Sequence, residues 1–250
     1  ISQSAALTED YGTRHHAGMG LAEQSDALVF VVSEERGVVS LARDGKITGV
    51  ETTRGKIRTD KVLVTAGGYS AGLIYHMLGI KLPISVLTIQ AMVTQPLKPI
   101  LDHVVSSGAY HCYANQTLKG EIATGAHMDP WPNYTTQTTA YYIQHQAQAL
   151  AEMLPCLRGV KFMRHWAGLA DMTPDMAPIM DGNDPIEGYY MNCGWGYFGF
   201  KSCAATGKYM AQFMAHGNCP DMLKPFHLRR YEQHRLMGET AALVNYSPDN

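Results

Sequence analysis

Charge is scarce in this 250-residue chain: Asp, Glu, Lys and Arg make up 17% of it, and the formal net charge is −2. No dense Lys/Arg block occurs, which excludes the electrostatic footprint of a nucleic-acid or anionic-membrane binder. The Arg229-Arg230 pair is too short to form one and reads as a solvated face. No stretch approaches the roughly 18 consecutive apolar residues of a membrane span. The opening, Ile1 to Leu7, lacks the charged start and long apolar stretch of a secretory signal, so a cytoplasmic location is expected. The five cysteines, Cys112, Cys156, Cys193, Cys203 and Cys219, are odd in number and contain no Cys-x-x-Cys pair. That pattern fits neither a disulfide framework nor a zinc site. His103, His111, His127 and His145 have no metal-ligand spacing, and no metal is expected.

What the chain has is 46% hydrophobic content, enough to bury the core of one large domain or two small ones. It starts on Ile rather than Met, and its first dozen residues show no recognisable beginning of a fold, so it is expected to start in the middle of something. Residues 17–28 read as a short helix and Ala27 to Val32 as a buried strand. A meander follows: Val38 to Leu41, a turn at Arg43-Asp44-Gly45, Ile47 to Thr52, a turn at Arg54-Gly55, and Lys56 to Arg58. Asp-Gly between β-formers is a strong hairpin signal. Lys61 to Gly68 then reads as a parallel strand buried on both faces, with glycines at its exit that let the backbone approach something closely.

Ile89 to Thr94, Tyr110 to Ala114 and Glu121 to Gly125 are expected strands of an antiparallel layer. The clearest helix is Ala140 to Leu154, with Ile143, Ala147, Leu150, Ala151 and Leu154 at helical spacing and Pro155 beyond its end. Met163 to Trp166 and Tyr189 to Asn192 read as short strands, and about Ala204 to His216 as a second helix stopped by Gly217. Tyr141, Tyr142 and the 14 methionines read as core packing. The order α/β, antiparallel sheet, α/β implies two interleaved domains.

Two segments carry chemistry. Cys193 to Lys201 holds glycines at 194, 196 and 199 ahead of a helix, an arrangement that turns backbone N–H groups toward an electron-rich acceptor. A glycine-rich helix start without any ligand is the plain alternative, and the spacing is not a Rossmann Gly-x-Gly-x-x-Gly. Twenty residues upstream runs Trp166-Ala-Gly-Leu-Ala-Asp171-Met-Thr-Pro-Asp175-Met-Ala-Pro-Ile179. The pairing of this run with Cys-Gly-Trp-Gly-x-x-Gly-Phe-Lys is similar to the D-amino-acid-oxidase superfamily and resembles heterotetrameric sarcosine oxidase β-subunits. Leu82 to Ile84, Gln90 to Thr94, Gln116 to Gly120 and Leu223 to Phe226 agree with it, so the likeness extends over nearly the whole chain from Gly12.

The resemblance implies the C-terminal portion of an FAD/NAD(P)-binding flavoprotein fold: an α/β part plus an antiparallel β-sheet substrate domain. Residues 1–80 and 160–218 would be the remainder of the FAD-binding domain, 81–159 the substrate-binding domain and 219–250 a C-terminal tail. The N-terminal Gly-x-Gly-x-x-Gly unit that grips the pyrophosphate of FAD is not in the sequence. By the same resemblance Val39, Gly196 and Gly199 contact FAD, and Lys201 contacts both flavin and the substrate carboxylate. FMN would be attached covalently to His15 in Arg14-His15-His16, where the family has Arg-His-Asp; His16 leaves the choice between the two histidines open.

The implied activity is oxidative demethylation of sarcosine by hydride transfer to FAD and onward to FMN and oxygen, with α, γ and δ subunits as partners. Tyr197-Phe198 stands where the family has Thr-Gly, which bears on substrate size and on activity itself. Two further readings stand beside this one: a related dehydrogenase for proline or N-methylated amino acids with another acceptor, and a truncated, non-catalytic assembly subunit.

Overall fold

The computed structural model describes residues 38–43 and 46–237, with side chains from residue 46 onward. The helix and strand expected within residues 17–32, the turn residues Asp44 and Gly45, and His15 lie outside the described residues. The described residues divide into two compact units, one made of residues 38–84 and 171–237, the other of Ser85–Ala170.

The first unit opens with the expected meander. Strands β1 (Val38–Arg43), β2 (Lys46–Thr52) and β3 (Gly55–Arg58) pair antiparallel in sequence order. Strand β4 (Val62–Val64) is buried at all three positions and runs parallel to β11 (Tyr189–Cys193), whose far edge is taken by antiparallel β10 (Ile179–Gly182). Alternation sends these side chains to two cores. Val62, Val64, Ile179, Tyr189 and Met191 join Ile74 of helix α1 (Ser70–Leu78) on one face. Leu63, Met180 and Tyr190 join Met210, Phe213 and Met214 of a later helix, Gly199–His216, on the other. The Tyr190 and Phe213 rings meet edge to face at 5.2 Å. Each such burial is worth about 1.5–3 kcal/mol, which is why a three-residue strand can anchor the unit.

The second unit is a five-stranded sheet in the order β6-β7-β8-β5-β9. Its strands are β5 (Ser85–Thr94), β6 (Val105–Ser107), β7 (Cys112–Gln116), β8 (Ile122–Met128) and β9 (Phe162–Met172). Gln116 staples the loops beside it. Its Oε1 accepts the N–H groups of Ile100 and Leu101 at 2.7 and 3.0 Å, and its Nε2 donates to the carbonyls of Lys98 and Gly120, each at 3.0 Å. Helix α2 (Ala140–Met153) is capped by Thr139, whose hydroxyl accepts the N–H of Tyr142. Its Ala149 and Leu150 pack on Cys112, Ala114 and Ile122.

Several expectations are corrected. The face that α2 buries is Tyr142, Gln146, Ala149 and Leu150, offset from the expected apolar stripe. Gln146 fits there because its Nε2 donates to Thr124 Oγ1 at 2.7 Å and its Oε1 accepts the N–H of His127 at 3.3 Å. Of the paired tyrosines, Tyr142 is core and Tyr141 is exposed. Strand β9 is far longer than Met163 to Trp166, and its residues 162–170 fall in the second unit rather than with residues 171–218 in the first. Residues 219–237, expected as part of a C-terminal tail, belong to the first unit, with Leu223 in its core and Arg230 fully buried. Arg230 therefore also overturns the reading of Arg229-Arg230 as a solvated pair; Arg229 alone is solvated, ion-paired with Asp184 at 2.5 Å.

Among the described residues, no helix is long and apolar enough to cross a membrane, and no group of His, Cys, Asp or Glu could hold a metal ion. The five cysteines are free thiols.

Candidate functional site

The glycine loop leaves β11 at Cys193 and enters helix α3 (Gly199–His216), which begins five residues earlier than its apolar pattern indicated. Two glycines adopt the left-handed backbone that a side chain resists, Gly194 at φ 74° and Gly196 at φ 55°. Space is lacking as well: a Cβ would sit 2.6 Å from Thr173 Cγ2 at Gly194, and 2.8 Å from Met172 Sδ at Gly196. The loop thus lies directly on the stretch where β9 ends.

Asp171, 4% exposed, fastens it there. Its Oδ2 accepts the N–H of Gly194 at 2.6 Å and its Oδ1 the N–H of Gly196 at 3.0 Å. Burial pushes the Asp171 carboxyl above its ordinary value, and the backbone N–H groups around it, those of Gly194, Gly196 and Trp195 among them, work the other way. Trp195 is held in turn, its Nε1 donating to Asn192 Oδ1 at 2.6 Å. The turn after Asp171 is closed by Thr173, whose hydroxyl donates to the carbonyl of Ala177 at 2.8 Å, and by the N–H of Met176, which donates to the Thr173 carbonyl.

Past the loop, α3 starts without a side-chain cap and with no acidic residue in its first turn. Its first N–H groups and the positive end of its dipole are therefore not neutralised by a carboxylate of the helix itself. Lys201 sits in this first turn, exposed, with Nζ 4.4 Å from the centroid of the Phe198 ring. Among the described residues no carboxylate pairs with it. Tyr197 and Phe198 pack ring to ring at 4.4 Å.

Gly196, Gly199 and Lys201 thus share one loop and helix start, all within the first unit. Val39 is placed by its backbone in β1, opposite Glu51, while His15 lies outside the described residues. Asp171, Thr173 and Asp175 stood in the sequence motif without a role; in the structure Asp171 bonds the glycine loop, and Thr173 and Asp175 bond Ala177 within the turn that follows. The residues present fit a flavin: a left-handed glycine loop with no room for Cβ atoms on its inner side, an uncapped helix start, and a cation that pairs with no carboxylate among the described residues.

The family model described as FAD dependent oxidoreductase (DAO) matches residues 5–213, and the chain belongs to that family. It is similar to sarcosine oxidase subunit beta of Rhodobacter capsulatus, 32% identical over 95% of this chain and 58% of the relative. The corresponding subunit of Rhizobium meliloti is 35% identical over 95% of this chain and 57% of its own length. The chain therefore spans somewhat more than half the length of these curated relatives. Among solved structures, L-proline dehydrogenase from P. horikoshii superposes with a TM-score of 0.73 at 28% identity, over 80% of this chain and 54% of the other. Glycine oxidase from Bacillus cereus, at a TM-score of 0.64 and 22% identity over 74% of this chain and 50% of the other, shares the fold.

Proposed function

We propose that the protein to which this chain belongs oxidises sarcosine or a similar secondary-amine amino acid, as a sarcosine oxidase β-type subunit working with α, γ and δ partners in the cytoplasm. The observation that carries this reading is the glycine loop locked by Asp171 with Lys201 just beyond it. When bound, FAD supplies the hydride acceptor, and FMN, attached at His15 or His16, the onward path to oxygen.

This chain's residues contribute binding and orientation. The N–H groups at the start of α3, that of Gly199 among them, would donate to the electron-rich edge of the flavin, while Gly196, whose N–H is taken by Asp171, and Val39 of the meander would pack against it. Lys201 would hold the substrate carboxylate. A carboxylate fixed at one point leaves the N-methyl group to be oriented by the pocket walls, so the encounter becomes effectively intramolecular. Phe198 lies against Lys201, its ring centroid 4.4 Å from Nζ, and Tyr197 packs on Phe198, so two bulky rings stand beside the proposed carboxylate-binding cation and bear on substrate size.

An anaerobic screen of amines with the full-length protein and its partners, followed by bleaching of the flavin absorbance, tests this directly. Sarcosine is expected to bleach it; a flavin bleached by no N-methyl amino acid would overturn the proposal. Bleaching by proline in preference to sarcosine, followed by no rapid reoxidation when oxygen is admitted, would instead establish the dehydrogenase reading, which the likeness to L-proline dehydrogenase favours.

A further inference from the structure

Arg230 is the largest fully buried side chain among the described residues, and its hydrogen bonds join its own C-terminal segment to the Asp175–Ala177 turn. Its Nε donates to Asp175 Oδ2 at 2.8 Å and its Nη2 to Asp175 Oδ1 at 3.0 Å, a two-point pairing of guanidinium and carboxylate. Nη2 also reaches the carbonyl of Ala177 at 2.8 Å, and Nη1 the carbonyl of Phe226 at 2.9 Å. Asp175 further accepts the hydroxyl of Tyr231 at 3.0 Å and the N–H of Met237 at 3.1 Å. Residues 226–237 are thereby tied at several points to the turn that follows β9.

The Ala177 carbonyl is the junction. It accepts from Arg230 Nη2 on one side and from the Thr173 hydroxyl on the other, each at 2.8 Å. Thr173 in turn presents its Cγ2 methyl to Gly194, so closely that a Cβ there would overlap it. A short path thus runs from Arg230 through Ala177 and Thr173 to the glycine loop. A buried ion pair is a poor source of stability, since an apolar pair of similar volume often holds a fold equally well. What the guanidinium fork supplies is direction, fixing a carboxylate and two carbonyls at set angles.

We propose that Arg230 is a positioning residue for the glycine loop: with Asp175 and Thr173 it forms a clamp by which the C-terminal segment sets the angle of the Gly194–Gly199 backbone toward the flavin. This rests on the flavin reading of the loop, and Arg230 acts on the flavin through the turn without touching it.

Two variants in the full-length protein test the clamp. Thr173→Val keeps the methyl contact and removes the hydroxyl that bonds Ala177; Arg230→Lys keeps the charge and loses the fork. Both are expected to speed amide hydrogen exchange at Gly194 and Gly196 about tenfold or more, and to shift the flavin absorbance and fluorescence. Thr173→Ser, which keeps the hydroxyl bonded to Ala177 and loses only the methyl that meets Gly194, is expected to speed exchange at Gly194 while leaving the turn itself bonded; unchanged exchange there would remove the methyl link from the path. Unchanged exchange in Thr173→Val overturns the clamp, whether or not Arg230→Lys folds. Faster exchange in a protein that retains no FAD even as wild type would leave the clamp standing and remove the flavin reading.

Discussion

The carboxylate of Asp171 takes the N–H of Gly194 on one oxygen and the N–H of Gly196 on the other, at 2.6 and 3.0 Å. Both glycines carry positive φ, so a side chain from the end of β9 maintains a backbone shape that the loop sequence merely permits. Replacing Asp171 by Asn turns an amide NH2 toward one of these donors and leaves it unsatisfied. The expected cost is about 1–3 kcal/mol, read as a lower midpoint of chemical unfolding, together with loss of FAD on gel filtration. An Asn variant with wild-type stability and flavin content would contradict this role.

Asp175 responds to acid in its own way. Burial alone would raise its carboxyl, but Arg230, the N–H of Met237 and the Tyr231 hydroxyl outweigh it and hold the group below its ordinary value of 3.8. A carboxyl lowered in the folded state contributes stability that is fully present above its unfolded value and is lost as pH falls through the folded one. Asp171, raised in the folded state, has the opposite sign and opposes folding as pH rises through the carboxylate range. Asp175→Asn should therefore flatten the loss of stability below pH 3.8. At neutral pH it should cost about 3–5 kcal/mol, because Arg230 is left buried without its counter-charge.

Removing the Lys201 ammonium by Lys201→Met should raise KM for sarcosine by roughly 10- to 150-fold, the worth of about 1.5–3 kcal/mol for one hydrogen bond to a charged group. Flavin content should change little. Steady-state kinetics on flavin-matched preparations would show it, and an unchanged KM would remove the carboxylate-binding role.

Glycines of this chain should divide by environment when changed to Ala. Gly196→Ala meets both a left-handed backbone and Met172 Sδ, and is expected to lose about 1–2 kcal/mol and to weaken flavin retention. Gly207 lies within α3 with nothing within 4 Å of its missing Cβ. There Ala should stabilise by about 0.4–1 kcal/mol by restricting the unfolded chain. Paired thermal melts check both signs.

Covalent FMN makes a separate prediction. After acid denaturation of the full-length complex, yellow flavin should remain with the protein, and its added mass should map to the peptide holding His15 and His16. Release of all flavin on denaturation would exclude the attachment.

Much of this could be read along the chain because it is local. The meander, an apolar strand within Lys61–Gly68, of which only Val62–Val64 is strand, and the helix stop at Gly217 follow from nearest-neighbour preferences and periodicity. The glycine loop with Lys201 was legible as a string, and the Trp166 to Ile179 run beside it gave it meaning. What sequence spacing could not give was which distant groups meet. Helix α1 is preceded by two glycines that read as a strand's exit, and Gln146 reads as a polar interruption until Thr124 arrives from β8 to bond it. Arg229 and Arg230 are neighbours of the same type, yet one is solvated and the other is the most deeply buried charge of the described chain. The sequence by itself determined that this chain carries a glycine-rich loop with a cation behind it. The tertiary structure alone decided what holds that loop, since burying a guanidinium is tolerable only where a carboxylate 55 positions away closes upon it.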